Sequence, residues 1–478
     1  MSCSLAWRRN GEYVPVSTRR TMAPENNPVK VLGIRLTPGV SRLNFFTWFY
    51  IAMCSTLMLS FLNAFQPFIL TNFIGLPKED LGKYTGMILF FSEVVMITFT
   101  LIYGTLSDRI GRSLIYALGF FVAGSSLFMI AHTSSVPGYI LTRMLWATGA
   151  AAIGSMLATV LADYPSEESR GKMTGFTGVM NGIGSIMSVA VLVRLPNRLV
   201  AAEITSDIVN AGQYTLYIIF GLALFTSVVS LFGIRSNRPV SNAPGFRLRL
   251  REHVSQFFND LKTGARAAKD PGVAMSYGVA FVARGDLIVG VTFVSLWIRK
   301  AALTMSLSPG QALAIMGAAM GIMQGTAFIT GPVYGIMADK MKRTTAVCIG
   351  LTMATIGYGS TCLVSDLGAI ANGRIAPQMI LVLILIGIGE MGALITGQVL
   401  IAQQAPRKIR GSVMGFFSVS GAVGIIISTT VGGFLFDIWR SAGPFIFCSI
   451  INGVLLVCAL VIRNKVQPPA ENLAEVRR

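Results

Sequence analysis

The sequence predicts an all-α membrane protein, with twelve transmembrane helices in two pseudo-symmetric six-helix bundles. Three observations carry that prediction. Charged residues make up 13% of the 478-residue chain and mean hydropathy is +0.65, where a soluble protein carries about 25% charge. The apolar residues fall in blocks of about 20 or more, the helix length that crosses ~30 Å of hydrocarbon. Two short motifs in the first half of the chain also recur at equivalent places in the second.

Taken in order, the blocks place spans at 45–71, 84–106, 113–132, 137–162, 172–193, 214–234, 273–298, 311–337, 344–365, 377–402, 411–436 and 443–462. The gaps carry turn and charge signals, among them Pro77 before Lys78, Glu79 and Asp80, then Pro137-Gly138, Pro165, Pro196, Pro309-Gly310, Pro377, Pro406 and Gly443-Pro444. Residues 1–42 are polar and basic, have no secretory h-region with a cleavage site, and read as a disordered cytoplasmic tail. The domain organisation that follows is a bundle at 43–235, a cytoplasmic linker at 236–272, a second bundle at 273–463 and a tail at 464–478. In the linker, Val254, Phe257, Phe258 and Leu261 stand at i, i+3, i+4 and i+7, which predicts an amphipathic helix on the inner membrane face.

The net charge of +18 does not mark a nucleic-acid binder. Its cations sit in short segments between apolar blocks, the pattern of membrane topology. With the N-terminus inside, 29 of the 39 Lys and Arg fall in cytoplasmic segments and 8 on the opposite side, while Arg143 and Arg284 lie within spans. Both termini are therefore expected in the cytoplasm, and a bacterial inner membrane fits. The six cysteines include no CxxC pair and read as small packing residues. His132 and His253 fall near a helix end and in a loop. No metal, cofactor or catalytic constellation is expected.

The repeat is specific. Gly104-Thr-Leu-Ser-Asp108-Arg109-Ile-Gly111-Arg112 lies between spans 2 and 3, and Gly335-Ile-Met-Ala-Asp339-Lys340-Met-Lys-Arg343 between spans 8 and 9. Arg170-Gly171 with Gly175-Phe176 at the start of span 5 matches Arg410-Gly411 with Gly415-Phe416 at the start of span 11. Six spans return the chain to its starting side, so the two halves run in parallel around a central axis. The segment Gly104 to Arg112 resembles the signature loop of the major facilitator superfamily, Gly-x-Leu-x-Asp-Arg-x-Gly-Arg, at every fixed position. The resemblance implies that family's fold, and a secondary transporter rather than an enzyme, moving a small solute by alternating access. It also implies a conformational latch at Gly104, Asp108, Arg109, Gly111 and Arg112, echoed by Asp339, Lys340 and Arg343. Asp108 can pair with Arg112 and face the positive end of a helix in the other half. Such a latch holds the halves together on the cytoplasmic side and breaks when that side opens.

Five ionisable residues lie inside spans: Glu93, Arg143, Arg284, Asp286 and Glu390. Burial of charge in a membrane is costly, which makes each a candidate for substrate or proton chemistry. Arg143 opens Arg-Met-Leu-Trp-Ala-Thr-Gly149, a partial likeness to the family's span-4 motif, whose arginine is linked to proton movement in proton-coupled members. Glu93 is its possible partner, as a structural ion pair or a functional one. Arg284 and Asp286 are about 200° apart on their helix and cannot meet at one point. Arg284 is expected either to pair with Glu390 or to neutralise an anionic solute. Asn63, Gln66, Gln324 and Gln398 can bond solute or glue helices together. Gly317, Gly321 and Gly325 form a packing ridge. Span 5 lacks the Gly-Pro of the family's antiporter signature, and the loop after span 6 lacks the sugar-porter run. The expectation is a monomeric, proton-coupled transporter in the lipid bilayer, with export or antiport preferred. An uncoupled facilitator or importer, and a non-transporting receptor on the same fold, are the alternatives.

Overall fold

The computed structural model describes residues 5–7, 13–15, 29–166, 169–235, 259–406 and 409–466. Twelve helices are long and apolar enough to cross a membrane. They are span 1 (Arg42–Phe68), span 2 (Leu81–Ile110), span 3 (Arg112–Ile130), span 4 (Val136–Asp163), span 5 (Arg170–Ile186) and span 6 (Ile208–Gly233). The second half contributes span 7 (Pro271–Thr304), span 8 (Pro309–Lys340), span 9 (Arg343–Gly359), span 10 (Pro377–Gln404), span 11 (Arg410–Ile438) and span 12 (Gly443–Ile462). Each coincides with one expected block.

Caps explain where several helices start. Ser41 and Asn44 form a reciprocal capping box at span 1, as do Ser308 and Gln311 at span 8. Asp270 accepts from the N–H groups of Gly272 and Val273 ahead of Pro271, so span 7 begins at its cap and runs past the apolar block. Spans 2 and 3 are separated by one residue, Gly111, at φ 97°. Only a residue without a Cβ adopts that conformation cheaply, which accounts for this glycine of the signature loop. Spans 1 and 5 each continue as a π-helical turn, Ile69–Phe73 and Met187–Leu192. Pro67 removes a backbone donor just ahead of the first of these turns.

Within the first half, span 3 packs on spans 4 and 6, span 2 on span 4, and span 1 on span 5. Within the second, span 9 packs on spans 10 and 12, span 7 on spans 10 and 11, and span 8 on span 10. Across the halves, span 2 meets span 11, span 1 meets span 7, and span 5 meets span 8. Twelve crossings put both ends of the membrane domain on one face, here called the termini face; the other is the far face.

The seam between the halves closes at the far face. The Asp437 carboxylate, ending span 11, accepts from Gly82 N (2.8 Å) and Lys83 N (2.5 Å) at the start of span 2. Lys78 Nζ donates to the Leu303 carbonyl at 3.0 Å, and Asn197 Nδ2 donates to the Gly310 carbonyl. Small residues let the backbones touch. A Cβ on Gly86 would stand 2.8 Å from the Thr429 carbonyl oxygen, and one on Gly317 would stand 2.6 Å from Arg194 Cγ. The ridge of Gly317 and Gly321 thus packs against span 5 and its extension, across the halves. Toward the termini face the same pairs of helices part. A Cβ on Gly104, Gly175, Gly178, Gly335, Gly411 or Gly415 would meet nothing within 4 Å among the described residues.

One connecting segment differs from expectation, and a second is described only in part. Residues 29–41, expected to be part of a disordered tail, are ordered. Lys30–Val31 and Ile34–Arg35 form a hairpin whose two-residue loop, Leu32-Gly33, has φ of 50° and 77°, the type I′ geometry that suits strand twist. The segment is then tied to the end of span 4 and to span 5: Ser166 N donates to Arg35 O, Arg35 N to Ser169 Oγ, and Thr37 Oγ1 to the carbonyls of Asp163 and Tyr164. Arg235 Nη1, after span 6, donates to Pro38 O at 2.7 Å. In the linker, residues 259–267 are helical. They dock on protein: Tyr277 Oη of span 7 donates to Gly264 O at 2.9 Å, and Ser412 Oγ of span 11 to Asp260 Oδ1 at 2.8 Å. Leu261 belongs to this helix, while Val254, Phe257 and Phe258 lie outside the described residues, as does most of the C-terminal tail.

Candidate functional site

The termini-side glycines of spans 2, 5, 8 and 11 have no neighbour within reach among the described residues; the space they border is called the cleft here, and the intramembrane charges divide into three groups by their burial and partners. In the first bundle, Arg143 is 1% exposed. Its guanidinium lies 4.3 Å from the Trp146 ring centroid, and Nη2 donates to Asn63 Oδ1 on span 1. Nε and Nη1 have no hydrogen-bond partner. Beside it, Tyr139 Oη donates to Gln66 Oε1 at 3.5 Å, and Gln66 Nε2 is unpartnered. Asn63 and Gln66 therefore fix the span 1–span 4 contact and orient Arg143. The expected ion pair of Arg143 with Glu93 does not form within 4.0 Å. Trp146 and Asn63 hold the guanidinium instead.

The second group crosses the cleft. Glu93 on span 2 is 7% exposed. Arg284 of span 7 and Arg143 of span 4 are the cations near enough to act on it, and neither comes within ion-pair distance. Arg284 is exposed in the cleft, in a hollow lined also by Gln398, Leu394, Phe417 and Ser418. A Cβ on Gly421 would stand 3.0 Å from Arg284 Cγ, so span 11 packs along the side-chain stem and aims its head. Among the described residues, no carboxylate lies within ion-pair distance of Arg284.

The third group is sealed inside the second bundle. Asp286 and Glu390 are both 0% exposed. Asp286 faces away from Arg284, as the helical period requires: its Oδ2 accepts from Asn452 Nδ2 of span 12 at 2.7 Å, and its Oδ1 has no partner. Tyr358 Oη of span 9 donates to the Asp286 backbone carbonyl at 2.9 Å. Glu390 is not paired with Arg284, contrary to expectation, because span 10 turns it into the bundle while Arg284 faces the cleft. Neither Glu390 oxygen has a hydrogen bond of normal geometry, although Gln324 stands near enough to act on it. A Cβ on Gly290 would stand 3.2 Å from Glu390 Oε2 and 3.5 Å from Tyr358 Oη. This glycine makes the room the carboxylate occupies. Gln324 also accepts from Ser185 Oγ across the halves at 3.3 Å.

In the signature loops, Arg112 forms an ion pair with Asp163 at the end of span 4. Its counterpart Arg343 donates from Nη1 to the Val399 carbonyl on span 10 at 3.3 Å. Both arginines thus brace their own bundle. Lys340 is exposed, and the side chains of Asp108, Arg109 and Asp339 lie outside the described ones.

Sequence reasoning missed Arg299. It is 1% exposed, and its Nε donates to Thr71 Oγ1 of the other half at 3.0 Å. The apolar block ends at 298 but the helix continues to Thr304, so a residue assigned to a loop is in the far-face seam. Tyr358, Asn452 and Cys448 were also missed; each looks like ordinary packing until Asp286 is placed beside it.

A twelve-span bundle pair, closed at one face and cleft at the other with charges at mid-depth, defines an integral multi-pass membrane protein of the transporter class. The chain belongs to the Major Facilitator Superfamily, whose profile matches residues 48–326 and 285–478, a family of transporters and not of enzymes. It is similar to the magnetosome protein MamH of Paramagnetospirillum magneticum, 27% identical over 419 residues that make up 86% of this chain and 90% of that one. A second magnetosome protein of that organism, MamZ, is 25% identical over 84% of this chain, which spans 59% of MamZ's length. The inner membrane transport protein YajR of Escherichia coli is 23% identical over 91% of this chain and 86% of its own. Among solved structures, the nucleoside transporter NupG superposes with a TM-score of 0.65 at 13% identity, over 89% of this chain and 99% of NupG. A POT family transporter in complex with 5-aminolevulinic acid gives 0.65 at 14%, over 88% and 96%. At those identities the likeness is one of fold.

Proposed function

We propose that the chain is a proton-coupled secondary transporter of a small organic solute, working as a monomer by alternating access, with its termini face in the cytoplasm of a bacterial inner membrane. One observation carries this reading: the two bundles touch at the far face and part at the termini face, with ionisable groups on and behind the walls of the cleft. In this conformation solute reaches mid-membrane from the cytoplasmic side. Rocking the bundles about that depth, so that the free glycines of spans 2, 5, 8 and 11 come into contact, closes it and opens the other face. The excess of Lys and Arg on the termini face supports the orientation, and one chain supplies both walls of the cleft.

Asp286 and Glu390 support the proton coupling. Each is buried with no cation beside it, Asp286 with one carboxylate oxygen unbonded and Glu390 with both, which makes the pair a place where a proton can be held. Tyr358 links it to span 9, and Gln324 links it to the cleft. The test is flux in proteoliposomes with an imposed pH gradient. Wild type is expected to accumulate solute against its gradient, and Glu390→Gln to lose accumulation by at least about tenfold while retaining counterflow. Flux indifferent to the gradient leaves an uncoupled facilitator, and bound solute without flux leaves a receptor.

A further inference from the structure

The charges on the cleft wall do not cancel. Two guanidinium groups, Arg143 and Arg284, stand against one carboxylate, Glu93. Arg143 is already committed to Asn63 and Trp146 and is 1% exposed. Arg284 alone projects into the cleft, without an ion-pair partner among the described residues. Neutral groups that can share an anion's oxygens line the same hollow, the Gln398 amide and the Ser418 hydroxyl, with Leu394 and Phe417 for an apolar body. A planar five-donor head beside neutral hydrogen-bonding groups and an apolar wall suits a carboxylate or phosphate borne on a small organic frame.

We infer that Arg284 anchors the anionic group of the solute, and that Glu93, facing it from the opposite bundle, competes with that group for the guanidinium. This rests on the cleft being the solute site. The groups acting on Glu93 are Arg284 from span 7 and Arg143 from span 4, while the residues of spans 10 and 11 that line the hollow around Arg284, Leu394, Gly397, Gln398, Phe417 and Ser418, carry no charge. When Glu93 is ionised it uses part of the Arg284 field. When it is protonated, Arg284 is free for the solute. Anion and proton therefore favour each other's binding, by the same factor in each direction. They travel together, so the coupling is symport, against the antiport that the signature loop's resemblance suggests. The competition also joins the bundles, because Glu93 and Arg284 belong to different halves.

The test uses the purified full chain with benzoate, inorganic phosphate and the neutral isostere benzamide. Benzoate or phosphate is expected to raise the melting temperature, more at about pH 6 than at about pH 8, and benzamide to leave it unchanged. Which anion acts separates carboxylate from phosphate recognition. Arg284→Gln weakens anion binding on the order of a hundredfold. Glu93→Gln keeps the binding and loses its pH dependence. In weakly buffered wild-type protein, adding the active anion is expected to draw protons from solution, a reading that needs no variant to fold. Proton release, a shift with benzamide equal to that with benzoate, a shift retained in Arg284→Gln, or no shift with either anion overturns the inference. Flux of a neutral solute that no anion inhibits sinks this assignment and leaves the transporter reading intact. Anion binding with proton uptake but no flux does the reverse.

Discussion

The far-face seam and the termini-side mouth are built from the same helices and the same kinds of residue, yet one is shut and the other open. At the far face, Gly82 and Gly86 of span 2 lie against Gly433 and Thr429 of span 11, and Gly317 lies against Arg194. At the mouth, a Cβ on Gly104 of span 2, Gly335 of span 8 or Gly411 and Gly415 of span 11 would meet nothing within 4 Å among the described residues. Glycine in a helix interior costs about 0.5–1 kcal/mol against alanine. The far-face glycines offset that cost through close backbone contact in this state. Those at the mouth have no such return here, which is the pattern of residues serving a second state in which the mouth is closed. The polar contacts described divide the same way. Asp437, Lys78, Asn197 and Arg299 all reach across the halves at the far face, while Arg112 and Arg343 at the mouth brace their own bundles.

The largest effect expected on this contrast comes from steric wedging. Gly86→Val places a side chain within 2.8 Å of the Thr429 carbonyl oxygen, overpacking worth about 1–3 kcal/mol against the closed seam. Cross-linking of Lys78→Cys to Leu303→Cys, in a background without the natural cysteines, reports the seam and is expected to fall by about an order of magnitude. Gly104→Val, in open space, is expected to leave that cross-link unchanged and to abolish flux by preventing closure of the mouth. Equal effects of the two valines on the cross-link would show that the seam and mouth glycines are not specialised.

Electrostatic loosening ranks second. The Asp437 carboxylate satisfies two backbone donors at the first turn of span 2, at the positive end of that helix. Asp437→Asn keeps one acceptor and loses the charge, and Asp437→Ala loses both. A graded loss of about 0.5–2 kcal/mol is expected in the same cross-link, asparagine less than alanine. A seam unaffected by either change would assign its closure to glycine packing alone.

How far this arrangement was legible in the sequence depended on the range of the interaction involved. Apolar blocks, caps and loop motifs are local patterns, so the twelve spans and their repeat could be read directly. Helical period could show that Arg284 and Asp286 face apart. It could not show that Arg143 binds Asn63 rather than Glu93, because that depends on which helix stands next to span 4 and at what height. Glu390 failed for the same reason: its direction is set by the rotation of span 10. Arg299 was hidden by a boundary, since hydropathy ends a span where the apolar run ends, whereas this helix continues because it packs against span 1. The hairpin at 30–35 is too short to register against a polar, basic tail, although its Leu-Gly turn has the geometry of a two-residue hairpin loop.

That hairpin provides the smallest and most local test of the comparison. The strap at 29–41 ties span 1 to the ends of spans 4 and 6, on the open side of the first bundle, without touching the seam. Its central bond is the Thr37 hydroxyl, shared between the carbonyls of Asp163 and Tyr164 at 2.5 and 2.7 Å. Thr37→Val keeps the shape and removes the donor, at a cost of about 1 kcal/mol. Amide exchange of residues 29–41 is expected to quicken by about fivefold through local opening, while the seam cross-link and the melting temperature stay at wild-type values. Asp163 also holds Arg112, so the strap and the signature loop share an anchor. If Thr37→Val shifts the far-face cross-link as well, the first bundle is flexible between its two faces. Closing the mouth is then a bending of spans within that bundle rather than a rocking of rigid halves.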